Sequence, residues 1–228
     1  MNRTTRRTLS EIDETRRFRE HVKLRVTRYL LEHPCVSCAQ ADPVVLEFHH
    51  RDPSAKVSNI SNLVARMASA ARIDAEIAKC EVLCANCHQR GTNLGRARHY
   101  KLGWWMQLAS GDVKDPRQAA NVRNARLAWD RLEEGYCVDC GEIDVLVLQF
   151  DHRERKTTDV SRLVGNGCSA SRLADELAKC DIRCASCHRR RTAERGGWYR
   201  TRQVAAVPAA VTEQPVDGEL DGWGQIRR

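Results

Sequence analysis

Apolar residues recur at helical spacing through residues 10–32, where Phe18, Val22, Val26 and Leu30 share one face. Ser10 with Asp13 three residues on reads as a capping-box start. The pattern returns at 115–135: Asp115-Pro116 opens it, Val122, Ala125, Trp129 and Leu132 line it, and Gly135 stops it. Two shorter runs read as strands, PVVLEFHH (43–50) and DVLVLQFDH (144–152). Alternation sends Val45, Glu47 and His49 one way and Leu46, Phe48 and His50 the other. In the second run Phe150 and His152 share a side and Asp151 takes the opposite one. Each strand thus ends in two adjacent polar groups aimed differently, His49/His50 and Asp151/His152. Ile73–Ile77–Cys80 and Leu173–Leu177–Cys180 have the spacing of a helix face, which makes Cys80 and Cys180 small buried residues.

These elements come twice because the chain repeats itself. EIAKCEVLCANCHQR (76–90) returns as ELAKCDIRCASCHRR (176–190), with nine of fifteen positions identical. Most differences are mild, but Leu83/Arg183 and Gln89/Arg189 add charge in the second copy. Each unit reads helix, C-x-x-C, hairpin, helix, C-x-x-C, helix. The chain then divides into an N-terminal basic helix (1–34), a first module (35–92), a basic and aromatic connector with a helix (93–136), a second module (137–200) and a tail without periodicity that reads as disordered (201–228).

The cysteines decide what the modules are built around. Cys35/Cys38 pairs with Cys84/Cys87, and Cys137/Cys140 with Cys184/Cys187, in the same register in both copies. Each C-x-x-C presents two thiolates at about the angle of tetrahedral zinc, so two such pairs make one closed structural Zn²⁺ site and the chain holds about two ions. A disulfide framework is the lesser alternative in a reducing compartment. Cys168 has no counterpart in the first copy and reads as an incidental thiol.

Charge narrows the partner. The formal net charge is +8 and the tail leans acidic, so a basic body faces a polyanion, nucleic acid first. No apolar run is long enough to span a bilayer and the first residues are charged, which argues for no membrane and a cytoplasmic protein.

Taken in order, CVSC…LEFHH…KCEVLCANCH and CVDCG…LQFDH…KCDIRCASCHRRRT resemble the zinc-containing HNH endonucleases over most of 35–92 and 137–192. The resemblance implies an α+β chain of two tandem ββα-metal, treble-clef-like modules, each preceded by a helix. It implies DNA as substrate and a catalytic Mg²⁺ or Mn²⁺ beside the zinc. Residue by residue, His50 and His152 match the general base. His49 and Asp151 match the strand ligand of the catalytic metal, and His88 and His188 the helix ligand. The chemistry agrees: phosphodiester hydrolysis needs a proton acceptor for water and a cation against the phosphate charge. The sequence departs from the family at its middle Asn, where Lys79 and Lys179 stand; Asn59 or Asn86 is the substitute on offer in the first copy.

Basic stretches surround these positions. Arg90 and the run Arg189, Arg190, Arg191 are expected to contact DNA, and Arg19, Lys23, Arg123 and Arg126 either cradle the backbone or form a solvated face. Trp104 and Trp198 are expected to close the small cores. Lys79 and Lys179 either touch phosphate or cap a helix end in solvent. A single chain with two such modules resembles a fused dimer; its oligomeric state is open. The rival readings are a tandem zinc protein that holds nucleic acid without cutting it, and an adaptor that uses its knuckles for protein contacts.

Overall fold

The computed structural model describes residues 9–94, 113, 115–153 and 156–206. Helix α1 (Leu9–Glu32) buries Val22, Val26 and Leu30. Phe18, expected on that face, is 41% exposed, and Ser10 lies within the first turn rather than before it. The chain then turns through the first knuckle into β1 (Leu46–His50), α2 (Ile60–Ala65), α3 (Ala70–Ile77), β2 (Cys80–Cys84) and α4 (Ala85–Leu94). The second copy follows the same order: α5 (Pro116–Glu133), β3 (Leu148–His152), α6 (Val160–Gly165), α7 (Ala170–Leu177), β4 (Cys180–Cys184) and α8 (Ala185–Gly196). Asp115 caps α5 by accepting from the Arg117 amide, with Pro116 at the first helical position where its missing N–H costs nothing.

Each module therefore holds a two-stranded antiparallel sheet and helices, a mixed α+β architecture. His49 lies opposite Glu81 and His50 opposite Cys80; Asp151 lies opposite Asp181 and His152 opposite Cys180. Cys80 and Cys180 are buried as expected, but they open strands β2 and β4 instead of ending the helix stripe. The stripe stops one turn earlier, at Ile77 and Leu177. The first core gathers Val26, Leu30, Leu46, Ile73 and Val82 between α1 and the hairpin. A further correction concerns the chain beyond 200, expected to be disordered. Residues 201–206 belong to α9 (Tyr199–Ala206), which packs on α1 of the first module. Arg200 donates to the Leu46 and Pro43 carbonyls at 2.8 and 3.2 Å. Residues 207–228 and Trp104 lie outside the described residues.

The two modules meet through α4 and α8. Asn86 accepts a hydrogen bond from the amide of Ser186, its own counterpart, at 2.9 Å. Around that contact the pairs come in reciprocal sets: Arg90 with Asp144 at 2.7 Å and Arg190 with Asp42 at 2.6 Å. Residue i of one copy meets residue j of the other and the converse, the mark of an isologous twofold interface inside one chain.

Candidate metal centres and active site

Two groups of four cysteines converge, Cys35, Cys38, Cys84 and Cys87 in one and Cys137, Cys140, Cys184 and Cys187 in the other, with ligand atoms all within 4.8 Å of one another. Cys38 and Cys84 Sγ are 3.6 Å apart, and Cys140 and Cys184 Sγ 3.7 Å. Zinc–sulfur bonds of about 2.3 Å in a tetrahedron require sulfur–sulfur distances of about 3.8 Å, so the donor sets fit zinc. Local structure supplies the geometry. The knuckle turn closes through Ala39 N donating to Cys35 O at 2.8 Å, and Val36 N ties it to Val82 O of β2 at 3.0 Å. Cys84 ends β2, and the Cys87 amide points back at its sulfur at 3.4 Å. Without a cation, burial and then the neighbouring cysteines push the Cys87 and Cys187 thiols up, since thiolates this close repel. Cys80, Cys168 and Cys180 stay outside both groups.

The strand-end histidines are held by a residue that no motif in the sequence marks. His50 Nε2 lies 2.8 Å from Glu76 Oε1, and His152 Nε2 lies 2.9 Å from Glu176 Oε1. A carboxylate only accepts, so Nε2 carries a proton, and it is Nδ1 that has the lone pair in the neutral ring. The Glu76 carboxylate also accepts from the Val57 and Ser58 amides at 2.8 and 3.1 Å and from Lys79 Nζ at 2.8 Å. Glu176 does the same with Thr157, Thr158 and Lys179. Lys79 reaches on to the Ala55 carbonyl at 3.1 Å. Lys79 and Lys179 thus pin the loop after the first strand of each module through this glutamate. Their ammonium groups, first among several causes, hold both carboxyls down to about 2. Neither candidate Asn does this work. Asn59 precedes α2 without a side-chain cap bond, and Asn86 lies at the module interface.

The other strand-end residue faces the helix histidine. His49 and His88 rings meet edge to face at 4.9 Å, and burial, with the neighbouring His88, favours neutral His49. His88 Nδ1 bonds the Glu47 carboxylate, so that nitrogen carries the proton and Nε2 is the free lone pair. In the second module His188 Nδ1 donates to Gln149 Oε1 at 2.7 Å, and His188 Nε2 lies 3.5 Å from Asp151 Oδ1. Burial keeps both helix histidines neutral-leaning. An imidazole that donates one ring N–H to an oxygen acceptor and presents the other nitrogen is the usual disposition of a metal ligand. His49 with His88 and Asp151 with His188 thus lie side by side, while the groups able to hold a metal among the described residues are the two cysteine sets. Asp151 is buried and also faces Arg183 at 2.8 Å and Arg195 at 3.2 Å. Arg183 answers Asp139 and Asp181 as well, which explains the charge that replaces Leu83.

An open cleft of about 1030 Å³ runs across the module boundary. Asp151, His152, His188, Lys156 and Arg195 line it from the second module, and Glu47 and His88 from the first. His49 and His50 lie beyond its lining. Of the four arginines expected on DNA, three are engaged within the protein: Arg90 with Asp144, Arg190 with Asp42, and Arg189 with Glu47 and the Val44 carbonyl. Arg191 is exposed. Lys23 pairs with Glu20 and Arg123 donates to the Cys168 carbonyl, so both leading helices use part of their charge locally. Trp198 is half-buried at the cleft, with the Arg189 guanidinium 5.2 Å from its ring centre.

No family model matches the chain, and no curated protein or solved structure matches it either. Among the described residues no helix is long and apolar enough to cross a membrane.

Proposed function

We propose that the protein is a metal-dependent DNA endonuclease of the HNH type, with one phosphodiester-hydrolysing site in each module and structural zinc beneath both. The observation that carries this reading is the carboxylate-held imidazole, His50 on Glu76 and His152 on Glu176, at equivalent positions in both copies. A histidine so oriented has Nδ1 free to take a proton from water, and the glutamate stabilises the imidazolium that results. His49 with His88, and Asp151 with His188, would hold Mg²⁺ or Mn²⁺. When bound, that ion supplies positive charge against the phosphate oxygens. Exposed Arg191 supplies a cationic contact for the DNA backbone near the second site, where Lys156 and Arg195 add positive charge while paired with Asp159 and Asp151. Four unpaired thiols per centre suit a reducing, cytoplasmic setting.

Supercoiled plasmid incubated with Mg²⁺ or Mn²⁺ should be cut, and EDTA should stop it. The double variant His50→Ala/His152→Ala should keep its zinc and its salt-dependent DNA affinity while cleavage falls about 10²–10⁴-fold. DNA binding without cleavage in either ion would instead identify a tandem zinc protein that only holds nucleic acid.

A further inference from the structure

Positions 89 and 189 directly follow the helix histidines, yet each side chain reaches into the opposite module. Arg189 donates from Nε to the Val44 carbonyl at 2.8 Å, and its guanidinium pairs with Glu47. The second oxygen of that carboxylate receives His88 Nδ1–H. Gln89 makes the mirror-image reach. Its Nε2 donates to the Leu146 carbonyl at 3.0 Å, and its Oε1 accepts from Gln149 Nε2. Gln149 Oε1 in turn accepts from His188 Nδ1 at 2.7 Å. The two relays follow one path with different chemistry. One is an ion pair, Arg189–Glu47, and the other an amide pair, Gln89–Gln149. Each is electrically neutral, and at each step of both relays a donor faces an acceptor.

From this juxtaposition we infer that Arg189 and Gln89 are positioning residues acting in trans: each fixes the ring orientation and tautomer of the other module's helix histidine, so neither site is complete within its own module. This deepens the nuclease reading and rests on it only for what the histidines then do. The hydrogen-bond logic is strict. A carboxylate at 47 can receive from both Arg189 and His88. An amide there has one acceptor oxygen and an NH₂ that must face an acceptor rather than a second donor. Replacing Arg189 by glutamine then supplies the missing acceptor and rebuilds the pair already present in the second module.

The test uses the full zinc-loaded chain and three variants, Glu47→Gln, Arg189→Gln and Glu47→Gln/Arg189→Gln, with zinc content measured for each. Imidazole ¹⁵N shifts at fixed pH report the tautomer of His88, and a Mn²⁺ titration reports the affinity of the first site. Glu47→Gln should disturb the Nδ1–H tautomer and weaken Mn²⁺ binding about 10–100-fold. The double variant should recover both, although its second change lies in the other module. A double variant no better than Glu47→Gln overturns the inference. Should Glu47→Gln lose zinc, Gln89→Leu read at His188 decides the same question: loss of the Nδ1–H tautomer there supports the relay, and a retained one overturns it. Rescue of the tautomer in a protein that binds no Mn²⁺ upholds the relay and removes the nuclease reading, so the two failures are distinct.

Discussion

Glu76 and Glu176 each take a backbone loop, a lysine and the candidate base onto one buried carboxylate. A buried carboxylate is tolerated when its acceptor sites are filled, and here the donors come from three elements. The Glu176 carboxyl is held from 4.5 down to about 2, with the Lys179 hydrogen bond the largest cause. A depressed carboxyl stabilises the fold above its unfolded value, and that contribution drains away as pH falls through the folded one. Glu176→Gln keeps the shape and the cysteines but lacks the charge. The difference in denaturant midpoint between wild type and variant should therefore shrink as pH falls from about 4.5 to about 2. A difference independent of pH would contradict the role given to the carboxylate. At neutral pH the same variant should keep zinc yet cut more slowly, since an amide cannot stabilise imidazolium in the way an anion does. The sequence shows this residue only as an acid three positions before a lysine, identical in both copies. The HNH pattern that the sequence resembles does not point to it, because that pattern specifies an Asn. The fold needs only some side chain able to hold a loop and a ring together.

Within single elements, what the sequence made legible was local. Alternation along 43–50 and 144–152 places His49 and His50 on opposite sides of β1, and cysteine spacing brings each knuckle pair to one centre. Both depend on neighbours within a few residues. Cys80 shows the limit of such reasoning: a helix-spaced cysteine becomes the first residue of a strand, because pairing with His50 across the hairpin outweighs one more turn of α3. Cys84 ends β2 and Cys87 lies in α4, so one centre takes ligands from both, which argues that metal and fold are linked there. Cys84→Ser should lower bound zinc from about two ions to about one and unfold the first module, while the second keeps its near-native structure. Metal analysis with amide hydrogen exchange checks this. Full protection of both hairpins in a chain holding one zinc would contradict it.

Across the whole molecule the repeat acquires its meaning from the interface. Three of the four arginines expected on DNA instead join α4 and α8 to the opposite modules, with Arg90–Asp144 and Arg190–Asp42 as symmetric partners. Such contacts join residues far apart in sequence, and no local pattern carries them. The second copy's added charges follow the same rule. Arg183 answers the Asp151 and Asp139 that stand where the first copy has His49 and Ser37, and Arg189 answers Glu47 across the boundary. The two proposed sites, related by an internal twofold, would suit a duplex, whose strands run antiparallel. The form of plasmid left by single variants measures this division of labour. Wild type should convert supercoiled DNA rapidly to linear, while His50→Ala alone and His152→Ala alone should each stop at the nicked circle. Linear product formed at the wild-type rate by either variant would contradict one working site per strand.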